Sequence, residues 1–135
     1  MADTLKKSDK LFVYGTLLRD TENPMSAYLK SKSTFVNEGT MSGKLFKVDF
    51  YPGAVFLPES NQKVHGEIYS IQNPEEVFEV LDTYENYTPQ APEQSLFTRK
   101  VVPVNVAGET VYCWAYLYNH RTEGLKQLDS GYFLE

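Results

Sequence analysis

Leu11-Phe12-Val13-Tyr14-Gly15-Thr16-Leu17 is the stretch that decides how this chain is read. It begins as an apolar run of β-branched and aromatic residues and breaks at a glycine followed by a hydroxyl side chain. That is the pattern of a buried strand running into a tight loop. Gly15 lets the backbone bend where a side chain would clash, so the N–H groups of Gly15, Thr16 and Leu17 can point into one concavity. Such a cluster of amides binds a carboxylate or an oxyanion without a charged side chain. The same residues also fit a strand that ends in an ordinary turn, and the heptapeptide alone does not separate the two.

Outward from that stretch, 135 residues suit one domain with a real core and leave no room for a second. Hydrophobic residues make up 41% and aromatics 14%, with ten Tyr and eight Phe, which points to a globular, β-rich protein. A net charge of −5 gives no basic face for a nucleic-acid backbone. One cysteine cannot close an internal disulfide, so the fold needs no oxidising compartment. The first nine residues are polar, lack the apolar core of a signal peptide and read as a loose leader. No run approaches the roughly twenty apolar residues that span a bilayer. The expectation is a cytoplasmic protein.

Along the chain, the strand Lys10–Tyr14 is followed by a short helix over Met25–Lys30 with Pro24 near its start. Thr34 to Met41 reads as a strand, Ser42-Gly43 as a turn and Lys44–Val48 as a further strand. Pro52-Gly53 reads as a bend ahead of an apolar strand ending at Leu57. Val64 to Ile71 alternates, and Gly66 inside it marks a close backbone approach or a bulge. Asn73-Pro74-Glu75-Glu76 carries a cap residue, a first-turn proline and two carboxylates, the features of a helix start. Val77, Val80, Leu81 and Tyr84 then form a stripe facing a core. Phe97–Val106 is a strand made edge-like or bulged by Pro103. Ala107-Gly108-Glu109 turns the chain, and Thr110–Tyr118 pairs back with both faces apolar or aromatic, so it is covered on both sides. Leu125, Leu128, Tyr132 and Phe133 pin down the tail. Many short strands, about two helices and no βα alternation give an α+β fold with a strongly curved or closed sheet.

The candidate for chemistry is Glu85, at the end of the helix that starts at Pro74. It sits at the edge of the buried stripe and at the negative end of the helix dipole. Both placements push a carboxyl pKa upward, into the range of a proton shuttle at neutral pH. The alternative is that Glu85 reaches solvent past the helix end. Asp82, one turn earlier and nearer the polar face, is expected to be solvated, and Asp82→Asn to matter far less than Glu85→Gln. Cys113 reads as a small buried hydrophobe. His65 and His120 lack metal-ligand spacing, so no metal site is expected. Arg99 reads as one half of a structural ion pair, and Gly43-Lys44 has neither the upstream glycine nor the Ser/Thr of a phosphate loop.

Tyr14-Gly-Thr-Leu17 after an N-terminal strand, with Leu81-Asp-Thr-Tyr-Glu85 closing a later helix, resembles the gamma-glutamylcyclotransferase-like family. The resemblance takes in Tyr51-Pro-Gly-Ala-Val-Phe56, Val64-His-Gly-Glu-Ile-Tyr69, Phe97-Thr-Arg99 and the aromatic strand Val111–Tyr118. It spans Leu11 to Tyr118. What it implies is a small mixed β-barrel flanked by helices and a cyclising release of 5-oxoproline from a small gamma-glutamyl compound. By the same resemblance Glu85 is the catalytic carboxylate and Tyr14, Gly15, Thr16 and Leu17 hold the substrate. The reaction requires no cofactor. Two departures stand out: Asp20 where members often carry glycine, and Phe97 where they often carry tyrosine. Two other readings stay open, a pathway-specific deprotecting enzyme of the same reaction type and a non-enzymatic domain that binds a gamma-glutamyl-like ligand.

Overall fold

The computed structural model describes residues 8–18 and 23–133. Its elements in chain order are β1 (Lys10–Val13), α1 (Pro24–Ser31), β2 (Ser33–Lys47), β3 (Pro52–Phe56), β4 (Lys63–Ile71), α2 (Pro74–Tyr84), a single 3₁₀ turn (Pro92–Gln94), β5 (Phe97–Val106), β6 (Glu109–Tyr118) and β7 (Lys126–Gln127). The strands run β2-β4-β1-β6-β5 and return to β2 through Thr40 opposite Asn105, which closes a five-stranded barrel. β3 and β7 add to the far half of β2. Every pairing is antiparallel except β1 with β6. The α+β barrel with two α-helices is the architecture the sequence predicts.

β1 is short and central. With β4 on one side and β6 on the other, Leu11, Phe12 and Val13 are buried. Its two faces feed two cores. Leu11 and Val13 pack with Val77, Phe78 and Leu81 of α2, while Phe12 packs with Met41, Ile68 and Val104 inside the barrel. β6 divides the same way, with Cys113, Ala115 and Leu117 inward and Trp114, Tyr116 and Tyr118 toward the helices. Its two-sided cover holds from Cys113 onward, whereas Glu109, Thr110 and Tyr112 are exposed. Each fully buried aliphatic or aromatic side chain contributes roughly 1.5–3 kcal/mol, so the doubly covered strands carry most of the stability.

Four expectations need correction. Ser42-Gly43 is no turn, because β2 runs unbroken through it and only changes partner there, from β4 to β3. The Gly43 N–H donates to Gln62 and the Leu57 N–H to Ser42, so hydrogen bonding continues where the glycine suggested a break. The bend expected at Pro52-Gly53 lies just upstream, where the Val48 and Asp49 N–H groups both donate to the Tyr51 carbonyl. Asn73 precedes α2 in a left-handed conformation and makes no side-chain cap bond. The buried stripe of α2 is Val77, Phe78, Leu81 and Asp82, with Val80 and Tyr84 turned outward.

Other readings hold. Asn23 caps α1 by accepting from the Ser26 N–H at 2.8 Å, with Pro24 in the first turn. Gly66 does mark a close approach, since a Cβ there would run into the Val13 carbonyl oxygen. Ala107 and Gly108 both take positive φ, the two-residue turn that matches strand twist. Pro103 faces Tyr112 without a register shift, exposed itself between buried Val102 and Val104. The leader departs from its loose reading at residues 8 and 9: Ser8 bonds the Tyr112 carbonyl and the Trp114 indole, and Asp9 accepts from Ile71. The remainder of the leader lies outside the described residues.

Candidate active site

The last turn of α2 ends in a Schellman arrangement. The Asn86 N–H donates to Thr83 at 3.2 Å and the Tyr87 N–H to Asp82 at 2.8 Å, with Asn86 left-handed at φ 56°. The motif turns the chain sharply and leaves Glu85 at the C-cap, its own N–H bonded to Leu81 at 2.9 Å. Glu85 thereby borders the cavity that the start of the loop after β1 also borders.

There the two stretches singled out in the sequence meet. Tyr14, Gly15, Thr16, Leu17 and Glu85 all line one cavity of ≈ 150 Å³. Its remaining wall is mainly apolar and aromatic, including Phe50, Tyr51, Pro52, Leu96, Phe97 and Tyr116, with Phe12 and Val13 at the end of β1 and Tyr84 and Asn86 at the helix end. Gly15 is a glycine for reasons of space. A Cβ would stand 2.8 Å from Pro52 Cγ, so the loop can lie on the start of β3 only without a side chain. The Leu18 N–H closes the turn onto the Gly15 carbonyl at 3.0 Å. No acceptor among the described residues meets the Gly15 or Leu17 N–H. The loop is held from two sides: Thr16 Oγ1 and the Tyr84 hydroxyl share a 2.8 Å hydrogen bond, and Asn23 Nδ2 donates to the Thr16 carbonyl.

Tyr14 differs from the rest of its loop. Its hydroxyl donates to the Tyr116 carbonyl at 2.6 Å and accepts from the Ala54 N–H at 3.1 Å, so only its ring remains for the cavity. Burial pushes the Tyr14 phenol far above its ordinary range. Glu85 is half-buried, and its carboxylate makes no hydrogen bond or ion pair among the described residues. Desolvation first, and the neighbouring Asp82 charge second, raise it to about 8.

Asp82 is the clear departure from the sequence reading. Only 7% exposed, it takes the Tyr116 hydroxyl on Oδ1 at 2.6 Å, Arg99 Nε on the same oxygen at 2.9 Å, and an Arg99 terminal nitrogen on Oδ2 at 3.3 Å. The Arg99 guanidinium lies between two rings, 4.3 Å from the centroid of Phe78 and 4.4 Å from that of Trp114. Arg99 is thus the ion-pair residue the sequence suggests, and its partner is the carboxylate expected to be solvated. The side chain of a helix residue next to the stripe is exposed unless strands bring partners to it, and both partners here come from β5 and β6.

The lining residues that sequence reading left out of the site are Phe12, Val13, Phe50, Tyr51, Pro52, Tyr84, Asn86, Leu96 and Tyr116. Tyr51 and Tyr84 stand inside the quoted motifs, and the alternation of β6 puts Tyr116 on the aromatic face. Nothing local marks Phe50 or Leu96. Phe97 is in the cavity wall, its ring 6.0 Å from Tyr51 and 5.8 Å from Tyr118, so the missing hydroxyl is a change inside the pocket. Asp20 lies outside the described residues. Cys113 is buried with its thiol pushed up to about 12, too high for a nucleophile. His65 stacks on Tyr132 with centroids 3.9 Å apart. Among the described residues no three His, Cys, Asp or Glu side chains gather, and no helix is long and apolar enough to cross a membrane.

Comparison with known proteins bears on the whole of this architecture. The family described as "Gamma-glutamyl cyclotransferase, AIG2-like" matches residues 11–135. The gamma-glutamylcyclotransferase family protein YtfP of Escherichia coli K12 is 29% identical over 126 residues, covering 93% of this chain and 96% of that protein. The crystal structure of an AIG2-like protein from Mus musculus superimposes with a TM-score of 0.65 at 26% identity, over 85% of this chain and 80% of that one. YkqA from Bacillus subtilis shares the fold with a TM-score of 0.69 at 23% identity. That match covers 93% of this chain, which spans only 39% of the YkqA chain. With the match running from β1 to the C-terminal end, the chain belongs to the AIG2-like gamma-glutamyl cyclotransferase family.

Proposed function

We propose that this protein is a cyclising lyase that releases 5-oxoproline and a free amine or amino acid from a small gamma-glutamyl compound. The observation that carries the reading is Glu85, a carboxylate without a partner among the described residues, raised to about 8 and lining a small apolar cavity beside the β1 loop. A group with that proton affinity is divided between base and acid near neutral pH, which is what a proton shuttle needs.

The Glu85 carboxylate takes a proton from the substrate α-ammonium, and the freed amine attacks the side-chain carbonyl carbon. The new C–N bond forms as the carbonyl electron pair moves onto oxygen. As that oxyanion collapses, the bond to the leaving nitrogen breaks and Glu85 returns its proton there. The α-nitrogen gives up two protons overall, and a leaving amine ends with both. Nucleophile and electrophile belong to one molecule, so the cavity chiefly holds it folded. Such orientation supplies up to about 7–11 kcal/mol in ideal cases. The Gly15 and Leu17 amides suit either the substrate carboxylate or the developing oxyanion. The thiol of Cys113 needs no oxidising compartment, and we place the reaction in the cytoplasm.

The test is 5-oxoproline release from a panel of gamma-glutamyl amines and amino acids by the native protein and by Glu85→Gln. Loss of release with the fold intact is expected. A native protein that binds 5-oxoproline and releases none would make the cavity a ligand site and overturn the lyase.

A further inference from the structure

The cavity wall and the Asp82 cluster are one connected structure. Tyr116 belongs to both: its ring lines the cavity, its hydroxyl donates to Asp82, and its carbonyl accepts the Tyr14 hydroxyl. From Arg99 the hydrogen bonds run through Asp82, the Tyr116 residue and Tyr14 to the Ala54 N–H. That chain joins α2, β5, β6, β1 and β3 around Glu85, which follows Asp82 by less than one turn. An ion pair needed only for stability could join α2 to the barrel at any turn. This one stands beside the reacting group.

We propose that Asp82, gripped by Arg99 and Tyr116, is the positioning residue of this site: it fixes the last turn of α2 against the barrel and sets the charge that Glu85 faces. The inference rests on the proposed role of Glu85. Among the described residues, the titratable and charged groups around Glu85 are Asp82 and Tyr84 on its own helix, Tyr14 from the β1 loop, Tyr51 with Asp49 from the loop before β3, and Tyr116 from β6, with Arg99 of β5 behind Asp82. Tyrosine is neutral near pH 7, so the nearby charges among the described residues are Asp82 and the guanidinium that offsets it, with Asp49 farther out beside Tyr51. Removing Asp82 leaves Glu85 near an uncompensated cation and makes it easier to ionise. Removing Arg99 leaves it near an uncompensated anion and makes it harder. A merely structural clamp gives no such opposition of sign.

The experiment follows the Glu85 carboxyl carbon by ¹³C NMR across pH, without substrate, and the pH dependence of 5-oxoproline release. Asp82→Asn should move the Glu85 midpoint and the rising limb of kcat down by on the order of one pH unit, and Arg99→Gln should move both up. Arg99→Lys keeps the charge but loses the two-pronged grip, so the midpoint returns while kcat stays on the order of tenfold low. Tyr116→Phe should lower kcat and leave the limb in place. If Arg99→Gln does not fold, Asp82→Asn against Arg99→Lys still decides the matter. Midpoints that stay put, or that move together in one direction, overturn the inference. A native protein that releases no 5-oxoproline, with midpoints moving in opposite directions, rejects the reaction and keeps the positioning. Normal release with unmoved midpoints does the reverse.

Discussion

Glu85 is a carboxyl that the folded state holds protonated longer than the unfolded chain does, and that has a consequence for stability. A raised pKa contributes stability that is fully present below the unfolded value of 4.5 and is lost as pH rises through about 8. Each unit is worth about 1.4 kcal/mol, so the loss between those limits is a few kcal/mol. Glu85→Gln escapes it. Urea unfolding should find the variant more stable than the native protein at pH 9 and nearly equal to it at pH 4, and a constant difference across that range would contradict the raised proton affinity. At this scale the sequence was legible where a local cause acted. The helix end and the edge of the stripe place Glu85 without any strand. Asp82 was misread because its burial depends on Arg99 and Tyr116, 17 and 34 residues away, and no periodicity in α2 reports them.

Among elements, the junction of β1 with its loop does most to build the site. The loop lies on Pro52 only because residue 15 has no side chain, so Gly15→Ala must push the loop or the proline aside. Overpacking of that kind costs about 1–3 kcal/mol. The expected outcome for Gly15→Ala is a lowered urea midpoint with a raised KM, since the displaced loop lines the cavity. Unchanged stability and KM would show the loop free to move. Strand and helix identities were largely readable because alternation and stripes are local, and β5 falls on the residues expected. Two kinds of junction were not. Ser42-Gly43 has turn composition, yet it lies where one strand passes from partner β4 to partner β3, a feature of barrel closure invisible in the segment itself. Asn73 has cap composition, but the chain leaving β4 enters α2 through a left-handed residue that aims its side chain elsewhere.

For the whole molecule, closure is one of two thinly paired seams. β5 and β6 pair along their full lengths, whereas β2 and β5 meet in register only at Thr40 and Asn105, and β1 and β6 only at Leu11 and Trp114. Local opening follows thinly paired seams, so the Thr40 amide should exchange its hydrogen faster than those of Val102 and Cys113 by at least tenfold in native-state exchange. Equal protection would mean the barrel opens only as a unit. That a curved or closed α+β sheet forms was legible from many short strands without βα alternation. That the closing pair is β2 with β5 was not, because a single long-range contact leaves no mark on composition. The barrel in turn brings the β1 loop and the α2 terminus, far apart in the chain, to one cavity, and the function proposed here depends on that meeting. The most direct test is 5-oxoproline release by native protein and Glu85→Gln side by side, with circular dichroism to check the fold. The account predicts release from at least one gamma-glutamyl compound by the native protein and none by the folded variant. Turnover by Glu85→Gln at the native rate would contradict it.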